Sequence, residues 1–461
     1  MNNSILTNRD LSFFFIGLAG SGMSAIAQFL AGKGYKVSGS DRVFQNPDFN
    51  TVKQKLEALG ITCYLQDGTG INQTINYVVV STAIENTVPD FAKAVENKIT
   101  VLHRAQLLAE ITKNYRTIAV AGTSGKSTTT AMIYHIMDVA GFSPSIITGA
   151  GLINLQKLGL LGNAKVGDSS WLVIEADESD GSITNYHPET GIVLNIDRDH
   201  KELTELIPLF KQFANQSGNL ILNADQTHVA ALRNEKTTFF SVDQDSDFKG
   251  SNFNQTDFSI NFNAFNQYFT LPLIGKHNME NALAAIAATY KVGIAIKTIA
   301  QALQSYQGIF RRHQLVGEIN GVKIIDDFAH NPVKIEASIK ACQHIGSRVI
   351  AWFQPHGFAP LKFMKEELME RLQNCMRPQD QFWFSDIYYA GGTVAKTISP
   401  DEIVNMLLNK GVTSGFVPNK YDFPLYIKPE LKAGDVLLLM GARDPLLEHY
   451  ASHVFNQLSR Q

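Results

Sequence analysis

Short apolar runs of strand length recur along the whole chain, each followed by a stretch with helical spacing. That alternation restricts the fold more than any other feature. In the first third, FFFIG, YKVSGSD and NYVVVSTAI read as strands, and MSAIAQFLAGKG and VKQKLEALG as helices ending in glycine. Near residue 114 the pattern starts again: RTIAVAG is a strand, SGKSTTTAMIYHIMDVAG a long helix, and SSWLVIEAD and TGIVLNID are further strands ending in acids. A third series, VKIIDDF, RVIAWFQ, QFWFSDI and DVLLLMGA, begins around Arg312. Strands that alternate with helices pair in parallel and are covered on both faces, so a three-domain α/β architecture is predicted, with Rossmann-like first and third units and a central α/β unit of the P-loop type. The expected boundaries are 1–113, 114–311 and 312–461. Short alternating aromatic segments between Phe239 and Leu273 are expected to form a small antiparallel patch.

A length of 461 residues suits about three domains of roughly 150 residues. With 18% charged residues and a formal net charge of -3, the chain has no electrostatic reason to bind nucleic acid or an anionic membrane. Cys63, Cys342 and Cys375 are widely spaced and odd in number, which favours neither a metal site nor a disulfide framework and is simplest in a cytoplasmic setting. The uncharged stretch LSFFFIGLAGSGMSAIAQFLAG (residues 11–32) is long enough to span a membrane. Its glycines at 17, 20 and 22 and its change of periodicity instead predict strand, turn and helix.

The string GTSGKSTTT (residues 122–130) lies between the strand TIAVAG and a helix. Glycines let the backbone approach a phosphate, and the helix start offers its positive end. Lys126 adds a mobile charge, and Ser127 a hydroxyl for Mg²⁺. A strict phosphate loop would have glycine where Val120 stands. The bland reading is a helix that merely begins Gly-Lys-Ser. Hard oxygen ligands to join Ser127 are sought at Glu175, with Asp177 and Glu178 beside it; His200 in NIDRDH is a second candidate. All lie at strand ends, where open α/β sheets bind ligands. In the first unit Gly17, Gly20 and Gly22, with Asp41 downstream, imitate a dinucleotide fingerprint, but the spacing G-x-x-G-x-G supports one poorly.

GTSGKSTTT, IEADESDGS, NIDRDH, GKHNMENALAA, FRRHQLVGE and DDFAHNP occur in an order that resembles the Mur ligases, ATP-dependent amino acid ligases of peptidoglycan precursor synthesis. That family has a shortened phosphate loop, which accounts for Val120. FFIGLAGSGMSAIA, SGSD, VVVSTAIENTVPD and VLHRAQLLAEI are similar to the branch that joins L-alanine to UDP-N-acetylmuramate. The resemblance implies ATP and Mg²⁺ as cofactors, with a nucleotide site at Gly122, Thr123, Ser124, Gly125, Lys126, Ser127, Thr128, His277, Asn278, Asn281, Arg312 and Asp327. Asn278 could instead cap its helix, and Asp327 a turn. It implies metal ligation by Ser127, Glu175 and His200, and a UDP-sugar site at Gly17, Gly20, Ser21, Gly22, Met23, Asp41, Ser81, Thr82, Ala83 and Arg104.

The resemblance also implies catalytic roles for Lys126, His200, His330 and His356. The γ-phosphoryl group of ATP would pass to the substrate carboxylate, and the amino acid nitrogen would displace phosphate from the acyl phosphate. Positioning and charge stabilisation dominate such chemistry, aided by an expected domain closure. The expected partners are UDP-N-acetylmuramate and an amino acid, with a monomer or homodimer as the assembly. Three departures stand out. Ser124 and Ser127 replace the branch's histidine and threonine, and Gly357 in FQPHGFAPLKF replaces an arginine expected to grip the amino acid carboxylate. Lys362 and Arg443 are candidate substitutes. L-alanine is the favoured substrate; a murein peptide ligase acting on a tripeptide, a non-catalytic nucleotide-binding paralogue and, below these, a dehydrogenase are the competing readings.

Overall fold

The computed structural model describes residues 5–82, 84–197, 202–389 and 396–460. His200 and Ala83 therefore lie outside the described residues. Each series of apolar runs forms its own sheet. In the first, Ser12–Ile16 pairs in parallel with Lys36–Ser40 and Tyr77–Val80, and the edges are Thr62–Tyr64 and Thr100–His103. Phe13 and Phe15 join one hydrophobic cluster while Phe14 and Ile16 join another, so both faces of this strand are buried. That explains an unbroken apolar run where a half-exposed strand would alternate. The stretch 11–32 becomes this strand, a glycine turn and the helix Ser21–Gly32. Among the described residues no helix is long and apolar enough to cross a membrane.

The second sheet has eight strands and is parallel except at its edge, where Ala164–Lys165 runs antiparallel to Ser145–Ile147. Four adjacent strands matter for the site: Thr190–Val193, Arg116–Ala121, Trp171–Glu175 and Ser145–Ile147, in that spatial order. From the central strand Arg116–Ala121 the chain goes first to one side of the sheet and later returns to the other. Ligand crevices form at such a switch point. The aromatic patch divides differently from expectation. Thr237–Ser241 extends the parallel sheet beside Asn219–Asn223, and only Ser251–Thr256, Ser259–Ala264 and Gln267–Leu271 make the small separate sheet.

The chain forms two compact units. One holds the first two sheets and the helix Lys276–Lys291 apart from its first residue. The other comprises residues 310–461 with the short pieces 254–261 and 273–276. Its six-stranded sheet is parallel except for Gln314–Ile319, which returns against Val322–Asp327. Along Arg348–Gln354, Val349, Ala351 and Phe353 face one core, and Ile350 and Trp352 the other.

Asp380 ties that second unit together. Its carboxylate accepts from Val349 N at 2.8 Å, Gln343 Nε2 at 2.8 Å and the Arg377 guanidinium at 2.9 and 3.0 Å. Burial opposes ionisation, but Arg377 and these donors outweigh it and lower the pKa. A lowered folded pKa means that stability is complete above the unfolded carboxylate value near 4 and is lost as pH falls through the folded one. Asp380→Asn should therefore cost about 2–4 kcal/mol at pH 7, since it leaves buried donors short of an acceptor. In denaturant titrations from pH 8 to pH 3, the gap to the parent should stay constant to about pH 5 and narrow below about pH 4. A gap that widens in acid would contradict this assignment.

Candidate active site

The four adjacent strands of the second sheet deliver their carboxyl ends to one place. Arg116–Ala121 runs into the glycine loop, where Gly122 has φ 143° and Gly125 φ 82°. Gly125 caps the helix Lys126–Val139 in the left-handed region, and a Cβ there would stand 2.4 Å from Asn281 Oδ1. The loop is pinned from the neighbouring strand: Asn195 Oδ1 accepts from Ser124 N at 2.7 Å and Thr123 Oγ1 at 2.9 Å, and Asp197 N donates to Thr123 Oγ1 at 3.1 Å. Asn281 accepts from Thr129 Oγ1 at 3.2 Å and donates to Asn278 Oδ1 at 3.1 Å. Asn278 sits inside the helix Lys276–Lys291 rather than at its cap. His277 is half-buried in the same first turn, and Thr128 in that of the loop helix.

On the other side of the loop, Glu175 ends its strand with a carboxylate that gathers three donors on Oε2. These are Ser127 Oγ at 2.9 Å, Thr148 Oγ1 at 3.0 Å and Gly149 N at 2.9 Å. Lys126 Nζ donates to Gly122 O and to Glu178 Oε2, both at 2.7 Å, and lies 3.8 Å from Asp177 Oδ1. Burial disfavours its charge, but Glu178, Asp177 and Glu175 outweigh burial and raise its pKa, so it is cationic at neutral pH. For Asp177 burial is again opposed and outweighed, chiefly by Lys126, and the carboxyl is held below its usual range.

A cavity of 320 Å³ joins this centre to the first sheet. Gly17, Gly20, Ser21, Gly22, Met23, Ser81 and Arg104 line it together with Thr148, Gly149, Glu175 and Asp177. A second cavity of 260 Å³ shares Ser81 and Arg104 and adds Thr82, His103 and Asp180. Asp41 faces the backbone instead: Oδ2 accepts from Ala19 N at 2.9 Å and Oδ1 from Val43 N at 3.1 Å, holding the glycine turn in shape.

The remaining predicted residues belong to the second unit. Asp327 closes its strand and accepts from Ala329 N at 2.7 Å and His313 N at 3.0 Å, which is the turn-capping role. Arg312 stacks its guanidinium 4.9 Å from the Phe328 ring centre. His330 and His356 stand with ring centres 5.6 Å apart. Gly357 has φ 72° and caps the helix Phe358–Cys375, so the backbone here is built for glycine. Arg443 in MGARDP is followed by Asp444, which pairs with Lys420 in a buried ion pair.

Sequence reading did not single out Thr148, Gly149, Asn195 or Asp180. The first three gain their roles from strand order, which places their loops beside the glycine loop; Asp180 gains its role by pairing with Arg104 at 3.2 Å. Among the described residues no group of three or more His, Cys, Asp or Glu is arranged around a metal. The oxygen pair of Ser127 and Glu175 nevertheless suits Mg²⁺, which takes few protein ligands and keeps water and phosphate oxygens.

Residues 12–116 match the Mur ligase family, catalytic domain; 120–289 the Mur ligase middle domain; and 311–443 the Mur ligase, glutamate ligase domain. The UDP-N-acetylmuramate--L-alanine ligase of Pelotomaculum thermopropionicum is 34% identical over 93% of this chain and 94% of its own length. That of Myxococcus xanthus is 33% identical over 95% and 93%. Among solved structures, the UDP-N-acetylmuramate-alanine ligase MurC of Thermotoga maritima aligns over 97% of this chain and 99% of its own with a TM-score of 0.81 at 22% identity. The murein peptide ligase of Psychrobacter arcticus aligns over 98% and 99% with 0.69 at 22%.

Gly125→Ala tests the loop geometry directly. The left-handed conformation costs a side-chain-bearing residue about 1–2 kcal/mol, and the Cβ must displace Asn281. Denaturant unfolding should show at least that loss, and a variant as stable as the parent would contradict the loop conformation.

Proposed function

The chain belongs to the Mur ligase family, and from that premise we propose that it joins an amino acid, L-alanine foremost, to the carboxylate of UDP-N-acetylmuramate at the expense of ATP. One observation supports this reading most: a single cavity lined by the glycine turn of the first sheet and by Glu175, whose carboxylate also holds Ser127 at the start of the loop helix. A UDP-sugar seated over the glycine turn would present its lactyl carboxylate toward the phosphate loop.

The residues divide the work as follows. Backbone N–H groups of the loop and the helix start receive the ATP phosphates, and Lys126 follows the β- and γ-phosphates with its mobile charge. Ser127 and Glu175 would hold Mg²⁺, which supplies charge neutralisation at the transferring phosphoryl group. Asn195 keeps the loop in shape. Arg104 and Ser81 at the cavity wall address the UDP-sugar. The substrate carboxylate takes the γ-phosphoryl group as its bond to ADP breaks, the neutral amine then forms the C–N bond and gives up a proton, and phosphate leaves as the C–O bond breaks. On the second unit, His330, His356 and the loop at Gly357 are assigned to the incoming amino acid. Gly357 carries no cation, so that pocket binds its carboxylate by other means than an arginine at this position.

Incubation with ATP, Mg²⁺, UDP-N-acetylmuramate and each amino acid singly, followed by mass spectrometry, should show the alanyl product and equimolar phosphate. A product only with tripeptide transfers the assignment to a peptide ligase, and no product with any amine refutes the ligase reading. Lys126→Met should lower turnover by about 10²–10³-fold, the usual effect of removing one transition-state charge partner.

A further inference from the structure

The acidic turn after Glu175 places carboxylates against two cations, one at the start of the loop helix and one on the wall of both cavities. Glu178 Oε2 lies 2.7 Å from Lys126 Nζ, both largely buried, and Asp180 Oδ2 lies 3.2 Å from Arg104 Nη2, a more open pair. Lys126 opens the loop helix, and Arg104 lines both cavities. Acids in a region that must admit polyanions repel those ligands. An unpaired buried ammonium, however, would be costly before they arrive.

The turn is also fixed by its own hydrogen bonds. Asp177 accepts from Ser179 N at 3.2 Å and Ser179 Oγ at 2.9 Å, and Asp180 Oδ1 accepts from Ser182 N at 2.9 Å. When a ligand anion competes for Arg104, Asp180 is thus anchored and the long arginine side chain is the partner that moves. Lys126 can do so without leaving the loop, because Gly122 O holds it independently at 2.7 Å.

We infer that residues 177–180 form a set of internal counter-ions, in which Glu178 occupies Lys126 and Asp180 occupies Arg104 until the phosphates of ATP and of the UDP-sugar respectively displace them. The inference rests on the ligand assignment made under Proposed function. It makes Glu178 and Asp180 positioning residues that weaken ground-state binding, each for its own ligand. Removing either charge then tightens one ligand and leaves the other alone, an outcome that loss of a purely structural ion pair does not produce.

The test is calorimetric titration of the full-length protein with AMP-PNP and Mg²⁺, with adenosine, and with UDP-N-acetylmuramate. Glu178→Gln should bind AMP-PNP about tenfold tighter, the order of one charge-assisted hydrogen bond no longer given up, with adenosine unchanged because it carries no phosphate. Asp180→Asn should bind UDP-N-acetylmuramate about two- to threefold tighter, as befits a partly exposed pair, with AMP-PNP unchanged. Glu178→Asp, which keeps the charge on a shorter arm, should fall between parent and Glu178→Gln and serves if the latter does not fold. Affinity for AMP-PNP that is unchanged or weaker in Glu178→Gln overturns the inference, as does an equal shift of both ligands in either variant. A parent protein that binds no AMP-PNP refutes the nucleotide assignment itself, and this inference with it.

Discussion

The carboxylate of Glu175 is the contact on which the rest of the site depends. It ends one strand, receives the hydroxyl that begins the loop helix, and receives a hydroxyl and an amide from the loop after Ser145–Ile147. Three segments far apart in sequence are thus indexed to one oxygen atom. A carboxylate with three donors is fixed in direction, and charge-assisted hydrogen bonds of this kind are about twice as strong as neutral ones. Ser127 is held beside it for the same reason, so the oxygen pair suited to Mg²⁺ is positioned by protein contacts alone. Preorganisation of that sort is what phosphoryl transfer demands of a protein that does little covalent chemistry itself.

Electrostatics then explains the composition of the following turn. Glu175, Asp177, Glu178 and Asp180 crowd four negative charges into six residues, next to a loop built to receive phosphate. Lys126 answers three of them and Arg104 the fourth. Four carboxylates against two cations leave a formal charge of -2 in this turn, and on the inference above ligand phosphates exchange with carboxylates for cations already in place. This is a smaller rearrangement than recruiting distant charges from solvent.

Much of the architecture was legible because both faces of the central strands are buried. Runs such as FFFI and VIAWF have no polar alternation to obscure them, and the helices between end at glycines such as Gly141 with φ 81°. The three-domain α/β reading holds. Less legible were Thr62–Tyr64, Thr100–His103 and Ser414–Phe416, short edge or near-edge strands with half-exposed residues and weak periodicity. Thr237–Ser241 looked like part of the aromatic patch because its sequence cannot reveal that its partner is the parallel strand Asn219–Asn223. The same limit applies at the site. Gly122, Lys126 and Glu175 announce themselves by residue type beside a strand end, whereas Thr148 and Asn195 act only through strand order. Asp41 shows the converse: a fingerprint position whose carboxylate is spent on two backbone amides.

Gly357 shows a backbone fitted to the residue it carries. The loop, Glu175 and the acidic turn, to which the proposed function assigns phosphoryl transfer, are set within the first unit. The position where an arginine is expected lies in the second unit, and its backbone adopts φ 72° at the start of an 18-residue helix. An arginine introduced there would meet left-handed strain and a Cβ contact of 3.1 Å with Pro360 Cδ. The pocket is thus not an arginine site with its side chain deleted. The backbone at this position suits glycine itself, so an arginine side chain could be restored here only with an adjustment of the main chain.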